Sequence, residues 1–366
     1  MKVLHLGKFC PPTVGGMEVF TYDLLEYLNS KNIKADLLCF NKESKKGNIF
    51  RNFTFHSCRT NLILRSAPLS IDFVKTFKDI EKDYDIIHVH SPNPLAEILA
   101  IFSTKRVIIH WHNDIVRQKI LYKFYKPIQQ RVLNKAEKVI CTSPNYLETS
   151  VQLKNFKDKA VIIPLGVNYK RLERWSENKE IISVLDKYSS KKIVLAMGRL
   201  VEYKGFEYLI EAGKYLDDSF VILIAGGGPL YNKLKRKNLK DRVILLGKVN
   251  NITPLLKRCD IFCLPSISRN ESFGLVLVEA LYFGKPLVTT AVDGSGMNYV
   301  NQNGITGFVV PPKDPFAIAD AIKKICFDRK LYLKFSENAK ERFKEFDIKT
   351  IGEKIIKLYS EVLNDN

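Results

Sequence analysis

The chain has 366 residues, 46% hydrophobic and 27% charged, with a formal net charge of +19. This length predicts two domains, each with its own core, and the composition excludes a disordered chain. No apolar run approaches the roughly 20 residues of a membrane span, and the charge narrows the partners to phosphates, nucleic acid or an anionic membrane surface.

In chain order, short apolar runs alternate with longer amphipathic segments, the pattern of parallel sheets flanked by helices. Strands are predicted at Val3 to Leu6, Ala35 to Cys39, Ile86 to Val89, Val107 to His110, Lys138 to Cys141 and Val161 to Ile163, with a first helix from Met17 to Ser30. A basic helix follows residue 116, carrying Arg117, Lys119, Lys123, Lys126 and Arg131 among Ile120, Leu121, Tyr122, Phe124 and Tyr125, broken or restarted at Pro127. The pattern begins again at Ile193 to Ala196, then Phe220 to Ala225, Val243 to Leu246, Ile261 to Leu264, Pro286 to Thr289 and Gly307 to Val309, with helices over Lys204 to Leu216, Gly274 to Phe283 and Pro315 to Phe327. Asn168 to Lys192 is polar and rich in lysine and glutamate, and reads as the interdomain linker. The expected fold is α/β, two doubly wound parallel-sheet domains, residues 1–170 and 171–345, facing across a cleft. A last helix from Ile348, with Ile351, Ile355, Ile356, Leu358, Tyr359 and Val362 at helical spacing, lies in a terminal segment 346–366.

The most informative stretch is Glu271-Ser-Phe-Gly-Leu-Val-Leu-Val-Glu279. Ser272, Phe273 and Gly274 lie where a loop enters a helix, so unpaired amides and the positive end of the dipole face an anion, and Phe273, Gly274 and Leu275 are donor-binding candidates. Glu279 then falls in the second turn, while Glu271 stays in the loop. Carboxylates beside phosphates suit hydroxyl groups, which sugar and ribose supply; the other reading of such a glutamate pair is a solvated helix face. Upstream, Arg199 and Lys204 in Gly198-Arg199-Leu-Val-Glu-Tyr-Lys204-Gly205 place two cations on a strand-to-helix loop, the type needed to neutralise a diphosphate. Lys248 and Val249, after the strand ending at Gly247, are candidates for contacting a base.

These residues carry a resemblance. Glu271 to Glu279 matches the E-x7-E motif, and Arg199 with Lys204 the cation pair, of the family 4 retaining glycosyltransferases of the GT-B fold. Pro11-Pro12-Thr-Val-Gly15-Gly16-Met-Glu18 resembles the family's glycine loop, His110-Trp-His112-Asn-Asp114 its histidine segment, and Ile163-Pro-Leu-Gly166-Val167 its end-of-domain signature. Ala225-Gly-Gly-Gly228-Pro229 and Thr306-Gly307-Phe308-Val-Val-Pro311-Pro312 follow in the family's order, so the resemblance covers nearly the whole chain. It implies transfer of a sugar from a UDP- or GDP-linked donor to a hydroxyl of a glycan or lipid-linked glycan, with the anomeric configuration retained and with neither metal nor cofactor. It further implies that Arg199, Lys204 and the backbone near Gly274 bind the diphosphate, that Gly15 and Gly16 approach it from the other domain, and that the terminal helix crosses back to the first domain. Glu271 is expected on the sugar hydroxyls, Glu279 on the ribose, and His112, in a His-x-Asp arrangement with Asp114, on the donor sugar. The segment from His112 to Lys119 looks like that of bacterial enzymes assembling surface polysaccharide such as O-antigen.

The remaining features set alternatives. Residues 1–170 hold about 26 basic and 15 acidic side chains, an excess of about +11, and the basic helix is suited either to a bilayer surface or simply to solvent. No recognised nucleic-acid motif accompanies the charge. His88 with His90, and His110 with His112, each face one side of a strand; acidic or cysteine ligands at matching spacing are lacking, so no metal is expected, and His88, His90 and His110 read as strand-end residues satisfied by backbone. The odd number of cysteines, seven in all, scattered among strand-like residues, reads as reduced core thiols. With Met1 to Gly7 read as a buried strand lacking a cleavage site, the expected location is the cytoplasm or the inner face of the membrane. Competing functions are a nucleotide-sugar epimerase, which needs more acid/base groups than the motifs offer, a dinucleotide oxidoreductase, which needs a full G-x-G-x-x-G after the first strand, and a non-enzymatic nucleotide-sugar-binding protein.

Overall fold

Phe220–Ala225 is apolar and buried at every position, as a strand covered by helices on both faces must be. The computed structural model describes residues 1–11, 13, 15–64, 67–115, 119–173, 179–237 and 242–364, without the side chains of Lys119 and Ile120. Arg117 and Pro12 of the sequence motifs lie outside the described residues.

The chain divides into two compact units, Met1–Gly166 with the segment from Ile348 onward, and Val167–Asp347. Among its described residues the first contains ten strands: β1 Lys2–Phe9, β2 Lys34–Asn41, β3 Lys45–Phe50, β4 Phe53–Arg59, β5 Leu62–Leu64, β6 Ala67–Leu69, β7 Ile86–Ser91, β8 Arg106–Trp111, β9 Lys138–Cys141 and β10 Ala160–Ile162. Eight form one sheet in the order β10-β9-β8-β7-β1-β2-β4-β3, parallel except for β3, while β5 and β6 make a separate hairpin. The helix Gly16–Ser30 buries Phe20, Leu24, Leu25 and Leu28. Against it lies the final helix Ile348–Asn364, which buries Ile351, Ile355, Leu358, Tyr359 and Val362. The contact is close because Gly352 has no side chain: a Cβ there would lie 2.1 Å from the Tyr27 ring, whose hydroxyl donates to Glu353 at 2.6 Å.

The described residues of the second unit hold six parallel strands, β11 Lys192–Met197, β12 Phe220–Ala225, β13 Val243–Gly247, β14 Ile261–Leu264, β15 Leu287–Thr290 and β16 Gly307–Val310, in the order β13-β12-β11-β14-β15-β16. Helix Pro315–Phe327 is started by Asp314, which accepts from the Ala317 amide, with proline in the first turn.

Several expectations are corrected. The stretch read as a linker, Asn168 to Lys192, contains the helices Tyr169–Glu173 and Lys179–Lys187, which bury Leu172, Ile181 and Leu185 in the second unit; their exposed lysine- and glutamate-rich faces dominate the composition. Residues 174–178 of that stretch are outside the described ones. Pro127 does not break its helix, which runs from Lys119 to Lys135. Cys10 and Cys39 are not free thiols: they form a disulfide between the end of β1 and its neighbour β2, where the Cys10 amide already bonds to Phe40 and the Cα atoms are 5.3 Å apart. Cys58, Cys141, Cys259 and Cys263 are buried thiols, and burial pushes that of Cys58 up to about 11 and that of Cys259 up to about 12.

Candidate active site

In the second unit the chain runs outward from β11 to β13 and restarts at β14 on the other side of β11. Loops leaving β11 and β14 therefore diverge, and in open α/β sheets ligands bind outside the carboxyl ends of the strands at such a switch point. The loop after β11 carries Arg199 and Lys204, and the loop after β14 carries Glu271.

Backbone contacts that only glycine permits hold this loop. Gly205 has φ +64°, and a Cβ would lie 2.1 Å from the Pro265 carbonyl oxygen, while the Ile267 amide donates to Tyr203 at 2.8 Å. Gly226, with φ +152°, brings the loop after β12 against the first: a Cβ there would lie 1.9 Å from the Gly198 oxygen, and the Leu200 amide donates to Gly227 at 3.0 Å. The Lys204 ammonium is thereby turned inward and ion-paired with the Glu271 carboxylate, both residues being buried. Glu271 also accepts from Ser266 at 3.3 Å. Arg199, at the head of the same loop, is exposed. The structure thus brings Lys204 and Glu271 together, with Arg199 on the same loop as Lys204. Lys248, exposed, and Val249, half-buried, follow β13, whose last residue Gly247 accepts from the Gly226 amide at 2.7 Å.

Gly274, at φ +82°, caps the helix Leu275–Tyr282, so the first amides of that helix lie beside the loop of Glu271. The Phe273 ring is a core group, edge-on to Phe346 with ring centres 5.9 Å apart. Glu279, also buried, accepts from Arg171 at 2.8 Å. Sequence reading passed over Arg171 because it stands in the polar stretch taken for a linker, and no spacing rule relates it to Glu279.

Gly15, Gly16 and His112 belong to the first unit. Gly15 caps and Gly16 opens the helix Gly16–Ser30, with the Val19 amide donating to Gly15 at 2.9 Å. Beside them Glu18 is raised by burial, partly offset by its own backbone hydrogen bond and by Lys8, and Lys8 is lowered by burial. His112 follows β8 and packs at 6.2 Å, edge to face, against Phe20. The Asp114 carboxylate accepts from Trp111 Nε1 at 3.0 Å and Ser150 at 2.7 Å.

The expectation that His88, His90 and His110 bond to backbone is overturned: their ring partners are one another, His5, His112 and Tyr359. The register explains it, since His5 stands opposite His88 and His90 opposite His110 on adjacent strands, with alternate residues on one face. Two triplets, His5-His88-His90 and His90-His110-His112, have ring nitrogens close enough to share an ion. In the second triplet the ring planes lie within 17° of parallel. Nitrogens of both triplets face one another at hydrogen-bond distance, His90 Nδ1 to His112 Nε2 at 2.9 Å and His90 Nε2 to His5 Nδ1 at 3.0 Å.

Residues 14–171 match Glycosyltransferase Family 4, and residues 177–342 match Glycosyl transferases group 1. The chain is 30% identical to O-antigen chain mannosyltransferase C of Escherichia coli, over 99% of both chains. The chain belongs to the family 4 glycosyltransferases. This glycosyltransferase is also 29% identical to the D-rhamnosyltransferase WbpZ of Pseudomonas aeruginosa, over 94% of this chain and 92% of the relative. Its fold is that of the crystal structure of Anabaena HepE in complex with UDP and glucose, with a TM-score of 0.78 at 20% identity over 98% and 99% of the two chains. The two units are therefore the two Rossmann-like domains of a GT-B enzyme, and the activity is transfer of a sugar from a nucleotide-sugar donor to an acceptor. Among the described residues no helix is long and apolar enough to cross a membrane.

Proposed function

We propose that the glycosyltransferase transfers a hexose, with retention, from a nucleotide diphosphate sugar to a hydroxyl of a glycan or lipid-linked glycan during assembly of a bacterial surface polysaccharide. The observation that carries the chemistry is the buried Lys204–Glu271 pair at the switch point of the second unit, with Arg199 exposed on the same loop and the amide end of Leu275–Tyr282 beside it. In the reaction the bond from the anomeric carbon to the diphosphate oxygen breaks, the bond to the acceptor oxygen forms on the same face, and the acceptor's proton passes to the departing phosphate. Negative charge grows on the leaving oxygens, and preorganised cations and amides aimed there supply the main stabilisation. Arg199, Lys204 and the backbone at Gly274 and Leu275 take that task, joined by Gly15 and Gly16. Glu271 holds sugar hydroxyls, Glu279 holds the ribose with its carboxylate oriented by Arg171, Lys248 and Val249 meet the base, and His112 meets the donor sugar.

The acceptor class is supported by the O-antigen mannosyltransferase relative. Mixing the enzyme with a panel of UDP- and GDP-linked sugars and a lipid-linked glycan is expected to release nucleoside diphosphate only when both substrates are present, giving a product whose anomeric proton coupling matches the donor's. Interconversion of donor sugars without release would mark an epimerase, and binding without turnover a sugar-binding protein.

Attachment to the inner membrane face is supported by the first unit. A groove of about 280 Å³ is lined by residues including Leu64, Leu69, Tyr122, Tyr125, Ile128 and Phe124, the last 79% exposed. On the same helix Lys123, Lys126 and Arg131 are exposed. Apolar side chains entering the interface while cations meet headgroups is the arrangement of a peripheral anchor. The enzyme should float with vesicles containing anionic lipid and not with neutral ones, and Phe124→Ser should weaken flotation; equal recovery with both lipids would remove the anchor.

A further inference from the structure

The buried histidines form one continuous hydrogen-bonded chain. His112 Nε2 meets His90 Nδ1 at 2.9 Å, and His90 Nε2 meets His5 Nδ1 at 3.0 Å. His5 Nε2 meets the Tyr359 hydroxyl at 3.2 Å, Tyr359 meets His88 Nδ1 at 2.6 Å, and His88 Nε2 meets His110 Nδ1 at 3.2 Å. Each link between rings joins an Nε2 to an Nδ1, and Tyr359 preserves that sense by accepting from one ring and donating to the other. A neutral imidazole has one N–H and one lone pair. The chain is complete only if all five rings carry the proton on the same nitrogen, all on Nε2 or all on Nδ1.

The rings are neutral: burial lowers His5 and His112 to about 3, and lowers His88, His90 and His110 well below 6.5. Thr21 chooses between the two orders. Its hydroxyl donates to the Met17 carbonyl at 2.9 Å, and a carbonyl can only accept, so the Thr21 proton is committed there. The same oxygen lies 3.4 Å from His90 Nδ1 and, with its proton on Met17, can only accept there, which favours the order in which His90 carries its proton on Nδ1, directed mainly at His112 and at longer range at Thr21. Carried along the chain, that sense has His110 donating to His88, His88 to Tyr359, Tyr359 to His5, His5 to His90 and His90 to His112.

The two chain ends agree with this order. His110 Nε2 and His112 Nδ1 are the two chain nitrogens without a partner. Both atoms are buried, and this order leaves the acceptor at His110, which has no exposure, and the N–H on His112, the end residue that retains 4%.

We propose that His5, His88, His90, His110 and His112 form with Tyr359 one proton-ordered array of Nδ1–H rings, in which His90 is the positioning residue that makes His112 Nδ1 a hydrogen-bond donor. Resting on the reading that His112 meets the donor sugar, the partner of that N–H is a hydroxyl oxygen of the sugar. His112 then recognises an acceptor atom and keeps this role while uncharged.

The test is nitrogen NMR on the full chain labelled with ¹⁵N-histidine, at pH 7.5. All five rings should show the neutral Nδ1–H signature. His56 supplies the opposite reference, because the Gly47 amide donates to its Nδ1 at 3.3 Å and forces its proton to Nε2. An Nε2–H or charged ring among the five overturns the proposal. His90→Asn, whose amide nitrogen can stand where Nδ1 stood, should keep His112 in the Nδ1–H form, and His90→Leu should release it to a mixture. An unchanged His112 signature in folded His90→Leu would equally overturn the positioning role. Donor KM should rise about fivefold in His90→Leu, as for one lost hydrogen bond, and recover in His90→Asn. A uniform Nδ1–H array with unchanged donor KM would instead strike the reading that His112 touches the donor, leaving the proton order standing.

Discussion

Replacing Lys204 with alanine is expected to slow sugar transfer about 10²–10³-fold, the range found when one preorganised donor to a developing charge is removed, and to destabilise the second unit by about 3–5 kcal/mol. The second effect has a separate origin. Lys204 and Glu271 are both buried and paired, so deleting the ammonium leaves a carboxylate desolvated and uncompensated. The two effects separate in a double variant. Lys204→Ala combined with Glu271→Gln removes the orphaned charge and should recover much of the melting temperature, while the rate stays low because Arg199 is left as the one cation of the pair to face the leaving phosphate. Recovery of rate along with stability would show that Lys204 serves the fold alone.

Acid is expected to unfold the first unit well before the second. All six histidines lie between residues 5 and 112, and five of them form the buried chain. A ring whose folded value lies below its unfolded 6.5 binds its proton more readily after unfolding. Its stabilising contribution is complete above pH 6.5 and is lost as pH falls from there toward the folded value. For His5 and His112, each lowered to about 3, the loss is roughly 1.4 kcal/mol per pH unit per ring, or about 4 kcal/mol for the pair at pH 5. His88, His90 and His110 shift in the same direction and add to it. Glu97 opposes it in part, since burial raises its carboxyl and the folded state gains a proton there first. Domain stabilities of about 5–15 kcal/mol leave little margin for such a loss. Melts followed at pH 7.5 and 5.0 should show an early transition that moves with pH; a first-unit transition that stays in place would mean that the rings accept protons within the folded chain.

The buried strands were legible because each is apolar almost throughout and short. β12, with six apolar residues in a row, admits no other reading once a turn glycine follows it. The edge strand β3, Lys-Lys-Gly-Asn-Ile-Phe, is largely exposed and reads as a loop, because only its pairing with β4 makes it a strand. The helix Arg329–Phe343 escaped for a similar reason: it buries four residues, Phe335, Ala339, Arg342 and Phe343, and the rest of its surface is polar. Pro127 misled in the other direction, since local preference ends a helix that the surrounding packing continues.

What the sequence by itself determined is the order of strands and helices, the two-domain α/β class and the family, through Arg199, Lys204, Glu271 and Glu279 at characteristic spacing on loops and a helix that apolar patterning locates. Tertiary structure alone decided which charges meet. It turned Lys204 onto Glu271, brought Arg171 from a supposed linker to Glu279, joined Cys10 to Cys39, and aligned four histidines from three strands and His112 just after the third with Tyr359, more than 240 positions from the nearest of them. The physical reason is that periodicity reports which face of an element is buried, whereas a hydrogen bond or ion pair depends on the register between elements distant in the chain.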